Sequence, residues 1–387
     1  MKSVKIFYTL IALLAFPSCE EPYTPVYEPQ DSAPVLIIDG FIDMSGNSRF
    51  QLSYTVPLGS EESTRAVTGA ALIIESENNE SYGQAAPTGN GRYTVFHPEL
   101  SMATRYRLRA KIAEKEYLSD WVTPYATSEI SEIAYQRTDS GLEIYVSSEN
   151  TPENSRYYRW ECEETWKFSA RFYSSFVFSG GGIQHRKLPE ENISVCFQHE
   201  NSSEIVVNST EHLSENTIAR QQVKFIPNLS DKLMIRYSIL VRQFNISREA
   251  YLFWSILKKN SESIGDIFGS MPSELKGNVR NTADPSEPVI AMIEAGYPTE
   301  KRVYYDAFDL KSWPVSIPFY AGCEAYEVPV AEAPRLLANA GLYIPIYEIF
   351  KNEASPYPTH YAYTTRRCTD CSLIGSLNQP DFWTDLD

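Results

Sequence analysis

The chain has 387 residues, and its 50 acidic and 34 basic side chains give a formal net charge of −16. A nucleic-acid partner is therefore not expected, because the phosphates would be repelled. The apolar fraction of 43% is enough for a real core, and the length suits two or three domains. The 26 tyrosines favour strands and binding surfaces.

The N-terminus has the pattern of a secretory signal. Lys2 and Lys5 precede an apolar run, Ile6 to Phe16, that is shorter than the roughly 20 residues needed to span a bilayer. The run leads into Pro17-Ser18-Cys19, which is similar to a lipoprotein signal whose cysteine becomes the acylated first residue. We therefore expect residues 1–18 to be removed and Cys19 to carry the lipid anchor. The alternative is an ordinary signal peptide with a chance cysteine.

A short stalk is predicted after Cys19. Residues 19–32 are rich in proline and acidic side chains, which keep a segment extended and uncollapsed. Acidic residues directly after Cys19 resemble the surface-export signal of Bacteroidota lipoproteins, and Asp31-Ser32-Ala33 resembles the short O-glycosylation pattern of that phylum. Both patterns are short, so chance matches are the alternative. No later stretch is apolar enough to span a membrane, so the body is expected to be soluble and tethered.

Residues 33–128 are predicted to form a first β-sandwich. Short strand-like runs alternate here with turn residues at the spacing of a sandwich. Val67-Thr-Gly-Ala70 and Gly91-Arg-Tyr93 resemble the small carboxypeptidase-regulatory-like and transthyretin-like sandwiches. The predicted strands are 35–39, 50–56, 70–74, 93–95 and 106–112.

A second β domain is predicted over residues 129–300, built around a long strand at 157–173. Alternation places one set of side chains on its inner face: Tyr158, Trp160, Cys162, Glu164, Trp166 and Phe168. A carboxylate buried alone is costly, so Glu164 needs a basic or hydrogen-bonding partner, or a bulge that turns it outward. A ligand-binding or catalytic acid is the alternative. Further strands are predicted at 142–146, 193–197, 205–207, 222–226, 233–244 and 289–293.

One long amphipathic helix is predicted over residues 247–264. Ala250, Phe253, Trp254 and Leu257 follow the spacing of a single helix face. Ser247 is the predicted N-cap, and Ile246 and Tyr251 are spaced as a hydrophobic staple. Gly265 and Pro272 mark its end. The helix is predicted to pack on a sheet, with a partner-docking surface as the alternative.

Five cysteines follow Cys19, so at most two disulfides form and one thiol remains. Cys368-Thr-Asp-Cys371 favours a structural clamp on the C-terminal tail. The alternatives are a metal site completed by Cys323 and His360, or a redox pair. The pairing stays open, and the candidates are Cys162, Cys196, Cys323, Cys368 and Cys371.

Residues 301–387 are predicted to be an irregular tail, rich in tyrosine, proline and cysteine, that docks on the second domain. Phe382 and Trp383 either fill a pocket there or anchor a partner. Together these patterns predict a mainly β protein with two β-sandwich-like domains, the second of which carries the helix and the tail.

Several segments in this order resemble a family of Bacteroidota lipoproteins, the domain-of-unknown-function family four-two-four-nine. The segments are Cys19, 35–40, 164–166, 237–241, 249–254, 277–279, 368–371 and 380–383. The resemblance implies an outer-membrane lipoprotein that works with a TonB-dependent (SusC-like) β-barrel receptor, and it supplies no catalytic residue. We expect the protein to face the cell surface, with the periplasmic face as the alternative.

A non-enzymatic accessory or binding role is therefore expected, without cofactor or metal. The scattered histidines form no HExxH, and no GxSxG occurs. The alternatives are a surface hydrolase of peptides or glycans, and a structural envelope lipoprotein or adhesin. The candidate partner-binding residues are Glu164, Trp166, Trp254, Phe382 and Trp383.

Overall fold

The structure, a computed structural model, describes residues 33–57, 60, 64–83, 85–149, 155–262, 275–310, 313–338, 341–351 and 356–384. The predicted signal peptide, Cys19 and the stalk lie outside the described residues, as do Gly265 and Pro272. Among the described residues no helix is both long and apolar enough to cross a bilayer.

Strands dominate the described chain, as predicted. The first ten strands are β1 Leu36–Asp43, β2 Asn47–Tyr54, β3 Arg65–Ala66, β4 Ala71–Ser76, β5 Ser81–Tyr82, β6 Ala85–Gly89, β7 Arg92–Phe96, β8 Tyr106–Ile112, β9 Lys115–Ser119 and β10 Tyr125–Ala126. The next nine are β11 Ile130–Arg137, β12 Gly141–Ser148, β13 Tyr157–Ser169, β14 Phe176–Ser179, β15 Gly182–His185, β16 Val195–Asn201, β17 Val206–Ser209, β18 Ile218–Pro227 and β19 Arg236–Ile246.

One long helix follows, and seven strands and two short helices complete the described chain. These are α1 Arg248–Glu262, β20 Val279–Asn281, β21 Val289–Ala291, β22 Glu294–Tyr297, β23 Thr299–Asp306, β24 Tyr326–Pro329, α2 Ala333–Leu337, β25 Tyr343–Ile349, β26 His360–Thr365 and α3 Arg366–Thr369. Short 3₁₀ turns lie at 231–233, 318–320 and 371–373.

The first sandwich consists of two sheets packed face to face. One has eight strands, in the order β10-β22-β1-β2-β7-β6, with β21 paired to β1 and β3 paired to β2. The other has five strands, in the order β20-β9-β8-β4-β5. Alternate residues of its strands, such as Leu36, Ile38, Leu52, Leu72 and Leu108, fill the core between the sheets. The predicted sandwich is therefore present in this region.

Three strands of this first sandwich come from far along the chain. β20 pairs with β9, while β21 and β22 run parallel to β1. Residues 279–297, predicted to belong to the second domain, pair with strands of the first instead. Short apolar runs predict a strand but carry no information about which distant strand they pair with.

The second sandwich packs β11-β12-β18 against a sheet of β16-β13-β19-β23, with β17 also on β13. The predicted inner face of β13 is confirmed, because Tyr158, Trp160, Cys162, Glu164, Trp166 and Phe168 are all buried. Between Phe178 and Ile183, the segment Ser179-Gly180-Gly181-Gly182 forms the tight turn of the β14–β15 hairpin. Gly180 and Gly181 both have positive φ there, as such turns require.

Helix α1 lies where the two sandwiches meet. Ser247 is its N-cap, since its Oγ accepts the Ala250 N–H at 3.0 Å. The apolar face packs into a cluster that we call the joint, which joins both sandwiches to the helix. The joint comprises Phe41 and Met292 of the first sandwich region, Phe244 and Ile246 of the second, and Ala250 and Phe253 of the helix, with Tyr157, Tyr251, Trp254, Leu257, Leu275 and Ile290 around them.

The tail contains more regular structure than its sequence pattern predicted. Residues 313–384, which we call the C-terminal module, hold a three-stranded sheet in the order β24-β26-β25, with α2 packed on it. Phe178 and Ile183 of the β14–β15 hairpin also pack against this sheet. Strands this short, interrupted by prolines, give little periodicity to read.

The close approach of Gly296 to the neighbouring strand provides a test of the position of β22 in the first sandwich. A Cβ at this position would lie 2.2 Å from the carbonyl oxygen of Tyr125 on the neighbouring strand. We expect Gly296→Ala to lower the free energy of unfolding by about 1–3 kcal/mol, because the backbone must shift to relieve the clash. Gly182→Ala is the matched control, since a Cβ there meets nothing within 4 Å. Equal urea midpoints for the two variants would contradict the observed packing.

Candidate interaction surface

Two disulfides hold the C-terminal module together and attach it to the second sandwich. Cys196 of β16 is bonded to Cys371, and Cys323 is bonded to Cys368. The CxxC motif therefore forms two separate bonds to distant partners, and both fasten the tail. The structural clamp is confirmed, although each cysteine of the motif has its own partner.

Cys162 is the remaining cysteine of the described residues, and it is buried. Burial raises the pKa of its thiol to about 12, an effect to which the nearby Glu164 adds. A thiol that stays protonated and covered is not a reactive site.

The end of the chain docks on the outer face of the β13–β19–β23 sheet. Trp383 is 5% exposed, and its ring meets Phe197 and Tyr304 edge-on at centroid distances of 5.0 and 5.7 Å. The Phe382 ring lies 3.6 Å from the Arg302 guanidinium, and its carbonyl accepts the Tyr304 hydroxyl at 2.7 Å. The docked tail is therefore observed, and Trp383 in particular is covered by its own chain.

Glu164 occupies the core of the second sandwich and is fully buried. Lys224 Nζ lies 3.0 Å from Oε1 as an ion pair without hydrogen-bond alignment, and Lys232 Nζ lies 3.0 Å from Oε2. The Tyr237 hydroxyl donates to Oε2 at 2.7 Å. The predicted basic and hydrogen-bonding partners are present, so Glu164 is a satisfied structural acid rather than an exposed contact.

Two further carboxylates extend this network outward. Glu204 pairs with Lys224 at 3.1 Å, and Glu200 pairs with Lys232 at 2.7 Å. Burial alone would lower the pKa of Lys224, but Glu164 and Glu204 raise it above its ordinary value, so the ammonium form is held. Neither lysine was predicted as a partner of Glu164 from the sequence. Only Lys224 could have been placed from the sequence. It lies two residues before the buried Ile226 on its strand, and residues two apart on a strand point to the same face.

The two remaining candidate tryptophans are also engaged within the chain. Trp166 is 6% exposed, and its Nε1 donates to Asp231 at 3.3 Å. Trp254 is half-buried, with the Arg159 guanidinium 4.2 Å from its ring. Of the five candidate partner-binding residues, Phe382 alone is classed as exposed, at 36%.

Exposed apolar side chains concentrate on the C-terminal module. Of the seventeen large apolar side chains exposed in the described part of the chain, nine lie between Tyr326 and Phe382. Three of these nine share one end of the small sheet. We call this group the tip, and it consists of Val330 (38% exposed), Phe350 (47%) and Tyr357 (75%).

Hydrogen bonds bring the segments of the tip together. The Val330 N–H donates to the carbonyl of Thr359 at 3.1 Å, and the Thr359 N–H donates to that of Ile349 at 2.9 Å. An ion pair between Lys351 and Glu327 at 2.7 Å flanks the group. An apolar group with a charged edge is the usual form of a protein interaction site. Composition was the only sequence signal for it.

A serine–histidine pair in the first sandwich bears on the hydrolase alternative. Ser48 Oγ lies 2.8 Å from His97 Nε2, and His97 Nδ1 lies 2.8 Å from the carbonyl of Pro98. Ser48 is fully buried, and its Oγ also accepts the Asp43 N–H at 3.0 Å. A covered hydroxyl cannot attack a substrate, so the pair braces the β1–β2 turn. Among the described residues no group of three or more His, Cys, Asp or Glu is placed to hold a metal.

The Glu164 network predicts a large stability effect from a small change. Glu164→Gln keeps the shape and the Tyr237 contact but removes the buried charge that both lysines face. We expect the free energy of unfolding to fall by about 3–5 kcal/mol, the usual cost of breaking a buried ion pair. Urea unfolding measures it. The matched control is Asp120→Asn, which breaks the exposed pair with Arg280 and should cost less than about 1 kcal/mol. Similar losses in the two variants would refute the structural role of Glu164.

Comparison with known proteins identifies a family and little else. No curated protein matches the chain. A two-domain fibronectin type-III segment of chicken tenascin is 12% identical, with 55% of this chain and 92% of that chain covered and a TM-score of 0.16. A structure of manganese lipoxygenase of Gaeumannomyces graminis, with part of zonadhesin of Komagataella pastoris, is 8% identical, with 56% and 89% covered and a TM-score of 0.17. Similarities this low support no argument.

The family match covers the first sandwich and the second as far as residue 302, within β23, and it ends before the C-terminal module. The family described as Domain of unknown function (DUF4249) matches residues 20–302. The tip, the CxxC motif and the docked tail therefore lie outside the matched region. Because the match spans most of the chain, this protein belongs to the DUF4249 family, as its sequence pattern indicated.

Proposed function

We propose that this chain is a lipid-anchored, non-enzymatic accessory subunit of a TonB-dependent outer-membrane transporter, which it contacts through the tip of its C-terminal module. The observation that carries the proposal is the concentration of exposed apolar side chains on a module held by two disulfides. Exposed aromatic groups on a fixed support lose little conformational entropy on binding, which favours a protein interface.

The length of the proposed stalk limits where such a partner sits. Thirteen residues separate Cys19 from the described body, and fully extended this segment reaches at most about 50 Å. With Cys19 acylated, the body stays within that distance of the bilayer. A partner in the same membrane, such as a β-barrel receptor, is then within reach of the body.

The arrangement of polar side chains favours binding over catalysis. Glu164 is fully buried between two lysines and a tyrosine, and Ser48 is covered beside His97. Both groups have the chemistry of an active site but lack access for a substrate. The surface hydrolase is therefore the weaker hypothesis on present geometry.

Copurification tests the proposal. The tagged full-length protein is expressed in its own host, membranes are solubilised in mild detergent, and the bound fraction is analysed by quantitative mass spectrometry. We expect a TonB-dependent β-barrel receptor at a constant ratio to the bait. The triple variant Val330→Ser, Phe350→Ser, Tyr357→Ser should lower that ratio at least tenfold, since one anchoring aromatic contributes about 2 kcal/mol or more.

Controls separate the tip from general apolar exposure and from anchoring. Phe96→Ser with Leu213→Ser removes side chains of 57% and 54% exposure elsewhere and should leave the ratio unchanged. Cys19→Ala should move the protein out of the membrane fraction. Recovery of the wild-type bait without a β-barrel receptor, or an unchanged ratio for the tip variant, would overturn the proposal.

A further inference from the structure

A buried carboxylate connects the two sandwiches at the joint. Glu294 belongs to β22 of the first sandwich, and its side chain reaches Ser247, which caps the helix that follows the second sandwich's β19. Glu294 Oε2 accepts the Ser247 N–H at 2.9 Å, and Oε1 accepts the Ser247 hydroxyl at 2.9 Å. The carboxyl group is thus a bidentate bridge between the domains. Glu294 is only 6% exposed, so water has little access to it.

Titratable groups from three elements act on Glu294: Arg159 from β13, Glu249 from the first turn of α1, and Tyr125 from β10. Asp39 of β1 acts on Arg159 in turn. The only cation among these groups is Arg159. Its guanidinium lies between the rings of Trp254 and Phe244, at 4.2 and 5.2 Å, and is also paired with Glu161. Arg159 is therefore shared and cannot fully neutralise Glu294.

These surroundings favour the neutral acid. Burial raises the pKa of Glu294 to about 7, even though both Ser247 hydrogen bonds and Arg159 lower it, and Glu249 adds to the rise. If the joint opened, water would reach the carboxyl group and its pKa would return towards the ordinary value of 4.5. Between about pH 4.5 and pH 7 the closed joint therefore binds a proton that the open joint releases.

We propose that Glu294 is a proton-controlled latch at the joint: the closed joint is stable when Glu294 is protonated and weakens when it ionises. The two Ser247 hydrogen bonds persist in the ionised form, but the buried carboxylate charge is then cut off from water. The sign follows from linkage: a group that binds its proton more tightly in the closed state stabilises that state at low pH. This stabilisation is complete below about pH 4.5, is lost as the pH rises, and is exhausted above about pH 7. The latch does not depend on the proposed transporter partner.

Hydrogen exchange of the full chain at two pH values tests the latch. Exchange rates of peptides from 244–254 and 289–297, corrected for the intrinsic pH dependence of exchange, give an opening constant for the joint. With pKa values of about 7 closed and 4.5 open, linkage gives a roughly 25-fold larger opening constant at pH 8 than at pH 5.5. A peptide from 106–112, far from the joint in sequence and in the core of the first sandwich, should show no such change.

Two substitutions make the test specific. Glu294→Gln keeps the shape and an acceptor but cannot ionise, so its opening constant should change less than about twofold over the same interval. Glu300→Gln removes an exposed carboxylate paired with Arg242 on the second sandwich and should keep the wild-type dependence. A pH-independent wild type, or a full dependence retained in Glu294→Gln, would overturn the latch. If Glu294→Gln fails to fold, the wild-type profile and the 106–112 peptide still decide the question.

Discussion

The antiparallel ladder between β13 and β19 is the constraint on which the rest of the second sandwich depends. It runs without a shift from Tyr157 opposite Ile246 to Lys167 opposite Arg236. Because side chains alternate along a strand, this register sends Glu164 into the core and sends Arg159 and Glu163 to the outer face. A slip by one residue would exchange the two sets, bury Arg159 in the core and expose Trp160.

The outer face of β13 connects the joint to the C-terminal module. Arg159 stacks on the helix tryptophan at one end, while Glu163 pairs with Arg302 at 3.1 Å, and Arg302 in turn supports Phe382. Four residues of strand separate these two contacts, about 13 Å. The module is therefore fixed to the same rigid sheet that faces the joint. Any change of angle at the joint would carry the tip with it and change its position relative to the first sandwich.

Much of the local structure could be predicted from the sequence, whereas long-range pairing could not. Period-two alternation predicted the buried face of β13, and the Ser247 cap and apolar spacing predicted the start of the helix. Burial of Glu164 implied a basic partner, but its identity depended on how β18 packs across the core. The same limit applies to the Cys196–Cys371 disulfide and to the pairing of residues 279–297. In each case the partner lies more than a hundred residues away, and tertiary contacts decide which segments meet. The tip could not be predicted from hydrophobic periodicity, because irregular tyrosine- and proline-rich segments have no regular period.

The late return of β20, β21 and β22 has a consequence for the order in which the protein matures. A chain that leaves a ribosome or crosses a membrane does so from its N-terminus, and domains usually fold as soon as they emerge. Here the first sandwich lacks three strands until residue 297 has followed, so it must wait for the strands and helix of its neighbour. Until then the emerging chain carries an unfinished sandwich, and a chaperone that shields its open sheet edge would be needed most during that interval.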